Sequence, residues 1–481
     1  MHKRHKILHI IWNAAIVTCN YKQSFLGGKN MKKTSAVLLS SALVAVSVLG
    51  GCASKSDNAG GDKSSQASAD KPAQNVTLKF YNWNPDIAEA ATQKIIANFQ
   101  AKNPTIKVES IPLVPGNSVE TLKKLDVTMS SGEQVDVVMF PSIEETVARA
   151  AQGVLAPLDD FYKKDNVNAD EEYYINPKFK GKSYALMNNS SNWLVLLNAE
   201  ALKEANLPVP SFDWTWDDFR DYAKKLSKGD DNNKRFGAYF HSWGEYANPI
   251  AYTDKKNPFL TADLKPQFDD ASFKYFFNLR KTMEKDDKSV KPLADVIGAK
   301  LNYNNEFLTG KAAMLMTATF ALPNIGDTAK YPHTFKTVVA PLPRSSKDAE
   351  PGLTNIGGNY VSVAANSKYK EEAYKFIRYM STEQEARIEL SGWKKSDSKL
   401  IVERLFGNMK DLIDMPSLTS TLYDKRVRTS VSSDIAVSYA SQLKAVLEGG
   451  LSKVLLDNMS SEDAQKWMMA EGDKLIKQNT K

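Results

Sequence analysis

The chain has 481 residues, 42% hydrophobic and 25% charged, enough for more than one globular core. It carries 63 basic and 56 acidic residues, a net charge of +7. Seven of the basic residues and none of the acidic ones fall within residues 1–51, so the remainder is balanced and lacks the basic excess that nucleic-acid binding calls for.

Residues 1–30 hold a short apolar patch, Ile7 to Val17, and precede a second start at Met31. Gly27 and Gly28 require GG-initial codons just upstream of the Met31 codon, where a ribosome-binding site would sit. Residues 1–30 are therefore read as untranslated, or as an extra leader. Met31-Lys32-Lys33 and the apolar run from Ala36 to Leu49 have the order of a secretory signal, residues 31–51. That run is shorter than the roughly 20 apolar residues that span a bilayer. Leu49-Gly50-Gly51-Cys52 resembles a bacterial lipobox, which implies cleavage before Cys52, diacylglycerol on its thiol and a place on the outer face of the cell membrane. Ala53 to Asn75 has no large apolar residue, so residues 52–75 are expected to form a disordered tether.

The only cysteines are Cys19 and Cys52, which leaves the mature chain without an internal disulfide. His241 and His333 are the histidines that follow the signal, so a Cys/His zinc site is excluded and a histidine-dependent triad has few candidates.

The folded part opens with Val76 to Phe80, where apolar and polar residues alternate as in a half-buried strand. Ile87, Ala91, Ile95 and Phe99 recur every fourth residue, the stripe of an amphipathic helix, and Asn103-Pro104 stops it. Ile106 to Val108 alternates again, Val119 to Met129 reads as a helix, and Val135 to Phe140 is an apolar run of buried-strand length. "KSYALM" and "WLVLLN" follow as strands. "TWDDFRDYAKKL" opens a helix with Thr215 as N-cap, Asp218 completing a capping box and Trp214 placed to staple Phe219. Trp214 and Trp216 are therefore assigned to packing. "EFLTGKAAMLM" reads as helix end, glycine stop and strand, "YVSVA" and "EEAYKFIRYM" as strand and helix, and the last hundred residues as mostly helical. Alternating strands and helices predict a largely parallel α/β sheet in each of two lobes.

Chemistry-bearing motifs fail on inspection. Gly310-Lys311-Ala312 lacks the hydroxyl residue of a phosphate loop, Gly357-Gly358-Asn359 lacks the third glycine of a dinucleotide fingerprint, and Lys234 breaks EF-hand spacing. Carboxylate pairs of the glycosidase kind cannot be read from spacing, so a lipid-anchored carbohydrate-active enzyme is a rival without positive support. Two loops mix aromatic, acidic and amide side chains, as a sugar's apolar faces and polar rims require: Tyr81 to Asp86 and His241 to Pro249. Ser391 to Asp397 is a weaker third. The first follows a strand and precedes a helix, the position where open α/β sheets bind ligands.

Taken in order, "NPTIKV", "SGEQVDVVMF", "GVLAPLDDF", "LNAEALKEANLPVPSFDWTWDDF", "FLTGKAAMLMTATFALPNI", "VVAPLPRS" and "GGNYVSVAANSKYKEEAYKFIRYMSTEQEA" resemble the extracellular solute-binding proteins, family 1, across nearly all of residues 76–481. The resemblance implies a two-lobed, type II periplasmic-binding-protein-like α/β fold. Lobe 1 would comprise 76–161 and 352–400, lobe 2 162–351 and 401–481, with a hinge of crossing segments. It implies a monomer, with no catalysis, cofactor or metal, that grips a sugar or oligosaccharide between its lobes and docks on ABC permease subunits. A non-sugar solute such as a peptide, a polyamine or a metal chelate is the other receptor reading. By family position the ligand contacts would be Trp83, Asn84, Asp86, Phe140, Trp243, Glu245, Tyr246, Phe320 (where the family usually has Trp), Gly358 and Asn359. Trp193 and Trp393 match no family position, though both could reach the cleft.

Overall fold

The computed structural model describes residues 75–230, 233–254, 257–431 and 437–479; the signal, the lipobox and nearly all of the tether lie outside them. β1 (Val76–Asn82) buries Val76, Leu78 and Phe80 while Thr77 points to solvent, as the alternation demands. α1 (Asp86–Lys102) follows and buries Ala91, Ile95, Ile96 and Phe99, ending at Asn103 before Pro104. Ile87, expected on the buried stripe, is instead exposed in the first turn. β2 (Ile106–Pro112) pairs with β1 in parallel, from Val76 opposite Ile106 to Asn82 opposite Pro112. α2 (Ser118–Ser131), capped by the Asn117 side chain, leads to β3 (Val137–Phe140), and α3 (Ile143–Ala151), capped by Ser142, follows it.

The remaining strands are β4 (Lys178–Phe179), β5 (Lys182–Ser183), β6 (Leu186–Met187), β7 (Ser191–Asn198), β8 (Phe236–Tyr239), β9 (Ala312–Ala318), β10 (Thr337–Ala340), β11 (Leu353–Gly357), β12 (Tyr360–Val363) and β13 (Arg428–Val431). Among the described residues they form two large sheets and a β4–β5 ribbon. The first sheet runs β2-β1-β3-β12-β6; the second runs β13-β11-β7-β9-β8, with β10 also on β7. Both are mixed rather than mainly parallel. β12 runs antiparallel to β3 and β6, and β7 runs antiparallel to β9, β10 and β11. The physical reason is the connection. Parallel neighbours in one sheet need a crossover of a dozen or more residues, whereas β12 and β7 each arrive from the other sheet within a few residues and are free to run either way.

Tyr162, Tyr173, Ile175, Leu186 and Met187 pack in the first sheet's core, and β11 pairs in the second sheet. The chain therefore passes between the sheets at 188–190 and at Gly358–Asn359, later in each case than the divisions at 161/162 and 351/352 expected from sequence. A third passage separates Trp393, packed on the first core, from Ile401, in the second, while Leu390 on the way already touches the second core. The core of the second lobe contains the helix Trp216–Leu226, whose capping box forms as expected: Asp218 N–H donates to Thr215 Oγ1 and Thr215 N–H to Asp218 Oδ2. Trp214 lies 5.7 Å from Phe219, ring centre to ring centre, and both Trp214 and Trp216 are buried, which matches their assignment to packing. Among the described residues, no helix is long and apolar enough to cross a membrane.

Candidate ligand-binding cleft

A cleft of about 990 Å³ opens between the two sheets, where the crossings at 188–190 and Gly358–Asn359 meet. Its floor is a network of bonds among backbone groups and the Asn189 side chain. Asn188 N–H donates to Asn359 O at 2.8 Å, Asn359 N–H to Asn189 Oδ1 at 2.7 Å, and Ser190 N–H to Leu390 O at 2.8 Å. The strands touch so closely that a β-carbon on Gly358 would lie 2.1 Å from Asn189 O, so glycine is required there. Arg387 is buried beneath this floor and donates to three carbonyls, those of Asn188 (2.6 Å), Met380 (2.6 Å) and Glu383 (2.8 Å). Glu389 accepts from Asn189 Nδ2, and burial pushes its carboxyl up to about 7 against the pull of Arg387.

The second lobe supplies an aromatic wall. Trp243 follows β8 and sits edge-on to its neighbours, 5.5 Å from Tyr303 and 4.6 Å from His241 between ring centres. Phe320 lies 6.2 Å from Trp243 and 6.3 Å from Trp193. Trp193, Trp243, Tyr303 and Phe320 all line the cleft. Each ring edge braces the next, which fixes the faces left open to the cavity. His241 is held neutral behind them: burial lowers its pKa to about 4.

The first lobe contributes the loop after β1. Trp83, Asn84 and Asp86 line the cleft, as do Glu245, Gly358 and Asn359 from the other expected positions. Asn84 is nevertheless committed locally. Its Nδ2 donates to Thr92 Oγ1 (2.9 Å) and Glu89 Oε2 (3.3 Å), and its N–H donates to Asn82 Oδ1 (2.9 Å), leaving its carbonyl oxygen for a ligand. Glu245 is ion-paired to Lys444 at 2.7 Å.

Two expected contacts do not reach the cavity. Phe140 ends β3, which is buried on both faces, and its ring is fully enclosed in the first core with the Arg149 guanidinium 5.4 Å from its centre. Tyr246 is fully buried behind the wall, 5.2 Å from Trp193 and 6.0 Å from Trp243, and supports the wall instead of facing the cavity. Trp393 also turns away, its Nε1 donating to Glu172 Oε2 at 3.1 Å.

Sequence reasoning missed a set of buried polar atoms without partners along the same cleft: Asn188 Oδ1, Asn355 Oδ1, the Tyr252 hydroxyl and Ser441 Oγ. A buried polar atom without a partner costs about 1–3 kcal/mol, so these atoms call for water or a ligand. No local motif marks them; their only signal is proximity to the crossings. The basic side chains are largely spoken for. Arg149 pairs with Asp126 (2.8 Å) and Glu145 (2.6 Å), Lys123 with Glu120 (2.8 Å) and Lys444 with Glu245, while Arg387 is saturated by carbonyls. Among the described residues Lys330, exposed at the rim, is the lining cation with neither an ion pair nor carbonyl acceptors for its ammonium group. No group of three metal-ligating side chains occurs among the described residues.

Known proteins share this architecture. Residues 84–387 match the family described as "Bacterial extracellular solute-binding protein". The sn-glycerol-3-phosphate-binding periplasmic protein UgpB of Escherichia coli is 24% identical over 297 residues, 59% of this chain and 65% of that protein, so the match spans just under two thirds of the relative. The substrate-binding protein Lmo0181 from Listeria monocytogenes, solved with cycloalternan, superposes with a TM-score of 0.68 at 22% identity over 83% of this chain and 98% of that one. The maltose/maltodextrin-binding domain MalE from Bdellovibrio bacteriovorus, bound to maltotriose, gives 0.64 at 18% identity over 84% and 100%. Two lobes, a cleft at their crossings and a family match over more than half its length lead to one statement: the chain belongs to the bacterial extracellular solute-binding proteins.

Proposed function

We propose that this protein is the extracellular, lipid-anchored receptor of an ABC importer, and that it binds a neutral oligosaccharide in the interlobe cleft without altering it. The observation that carries the reading is the pairing of an aromatic wall with unsatisfied amide and hydroxyl groups in one cavity. A pyranose ring offers the matching surfaces, an apolar C–H face and a rim of hydroxyls. The cleft volume of about 990 Å³ stands at the top of the range of roughly 300–1,000 Å³ found for small-molecule sites, which favours several rings over one. The bound sugars of the structural neighbours support a saccharide. The curated relative's glycerol phosphate is not favoured, because among the described lining cations Lys330, exposed at the rim, is the one left without an ion pair or carbonyl acceptors, and a phosphate needs free donors of positive charge within the cavity.

Trp83, Trp243, Phe320 and Trp193 would stack on the rings. Asp86, Asn359 and the unpartnered Asn188 and Asn355 would bond the rims. Closure would be a population shift paid for by contacts to both lobes at once. Cys52 would carry the lipid that keeps the receptor beside its permease. A thermal-shift screen of plant and microbial oligosaccharides tests the reading. A rise in melting temperature with a neutral saccharide of two or more rings, and none with sn-glycerol 3-phosphate, is the expected result. Stabilisation by the phosphate alone would overturn it.

A further inference from the structure

Three carboxylates and one ammonium group meet where the lobes touch. Glu144 lies in the first turn of α3, in the first lobe. Lys444 and Glu448 lie one turn apart on the helix Ala440–Leu455, and Glu245 on the short helix Gly244–Ala247, both in the second lobe. α3 packs against the helix Ala440–Leu455, and all four side chains line the cleft. Lys444 Nζ donates to Glu245 Oε1 at 2.7 Å. Its stem lies on Gly244, where an added β-carbon would come within 2.9 Å of Lys444 Cε. Glu144, only 3% exposed, and Glu448 have no ion-pair partner of their own among the described residues. The unpartnered Tyr252 hydroxyl lies beside them, 3.2 Å from that same Gly244 position.

We propose that bringing Glu144 of the first lobe against Lys444, Glu245 and Glu448 of the second forms a proton-linked latch, so that lobe closure takes up protons. Glu144 is its positioning residue. The latch concerns closure itself and holds whichever solute the cleft accepts.

The latch requires that parting α3 from the helix Ala440–Leu455 returns Glu144 to water. Closed, it is buried, which raises its pKa; Lys444 opposes the rise and Glu245 adds to it. Glu448 is pushed up to about 7, first by burial, with Lys444 opposing and Glu245 and Glu145 adding. Burial works against the charge on Lys444, but Glu245, Glu144 and Glu448 outweigh it and hold the ammonium above the usual lysine range. Of the other groups facing the cluster, the Tyr252 and Tyr360 hydroxyls are raised by burial, and Arg149 is ion-paired with Glu145 and Asp126. The sign follows. Raised carboxylates keep protons in the closed form that the open form releases. Closure is thus favoured at low pH, and the advantage is lost as pH rises from the ordinary carboxylate range through about 7.

Glu389 at the crossings also titrates at about 7 and must be separated from the latch. Small-angle X-ray scattering of the ligand-free protein between about pH 5 and about pH 9 makes the test, a range that brackets the ordinary and raised carboxylate values. The radius of gyration is expected to be smaller at the acidic end and to rise with a midpoint between the ordinary carboxylate range and about pH 7. The double variant E144Q/E448Q should lose this response and E389Q should keep it. K444M, which removes the opposing cation, should move the midpoint upward. A radius independent of pH, a response unchanged in the double variant, a response lost in E389Q alone, or a downward shift in K444M would each overturn the latch.

Discussion

Arg387→Met is expected to lower the unfolding free energy by about 3–5 kcal/mol, the cost of breaking a buried charged network from one side. Arg387 is 4% exposed, and its guanidinium ties the carbonyls of Asn188, Met380 and Glu383 together at the crossings. Methionine fills similar volume, takes the donor from the Met380 and Glu383 carbonyls and leaves that of Asn188 only the long bond from Gly392 N–H at 3.4 Å, along with a Glu389 that has lost its nearby cation. The guanidinium does keep its charge. Burial brings its pKa down only to about 10, well above neutrality. Lysine would be a poor substitute, because a single ammonium cannot spread over three carbonyls as a planar fork does. Urea unfolding followed by far-UV circular dichroism reads the loss as a lower midpoint. A loss under about 1 kcal/mol, the worth of one ordinary hydrogen bond, would mean the crossings are held by something else.

Trp243→Ala should weaken saccharide binding by about 1–3 kcal/mol, or roughly 5- to 150-fold, on the scale of one large side chain withdrawn from contact. Trp243 is the centre of the wall, touching His241, Tyr246, Tyr303 and Phe320, so its removal also frees its neighbours to move. Trp393→Ala is the control. Its ring lies off the cleft and bonds Glu172, so affinity should stay within a factor of about two, the effect of a change of a few tenths of a kcal/mol. Titration of both variants with the saccharide that gives the largest thermal shift compares them. Equal losses would place the sugar elsewhere.

The contrast between Trp243 and Trp393 shows what sequence can and cannot tell. β1, α1 and β2 were legible because their signals are local: an alternating run, a stripe every fourth residue and an Asn-Pro stop. The Thr215–Asp218 capping box was legible for the same reason, its partners being three residues apart. Strand direction was not. β12 meets β3 and β6 from some two hundred residues away, and nothing in "YVSVA" states which neighbour it will run against. Phe140 and Tyr246 sit beside the right strands, yet family position says nothing of where a ring turns, and both turn into cores. Asn188, Asn355 and Tyr252 carry no motif; they gain meaning once the crossings leave their polar atoms without partners. The Lys444 cluster joins residues up to three hundred positions apart and exists only in the assembled fold.

The proposed receptor holds a glycan between two lobes against aromatic faces and releases it unchanged. Isothermal titration with the strongest saccharide from the screen, followed by mass analysis of the recovered ligand, tests it most directly. Saturation at one saccharide per chain and recovery of the same molecule are the expected results. Heat that never saturates, or a recovered mixture of shorter sugars, would contradict it.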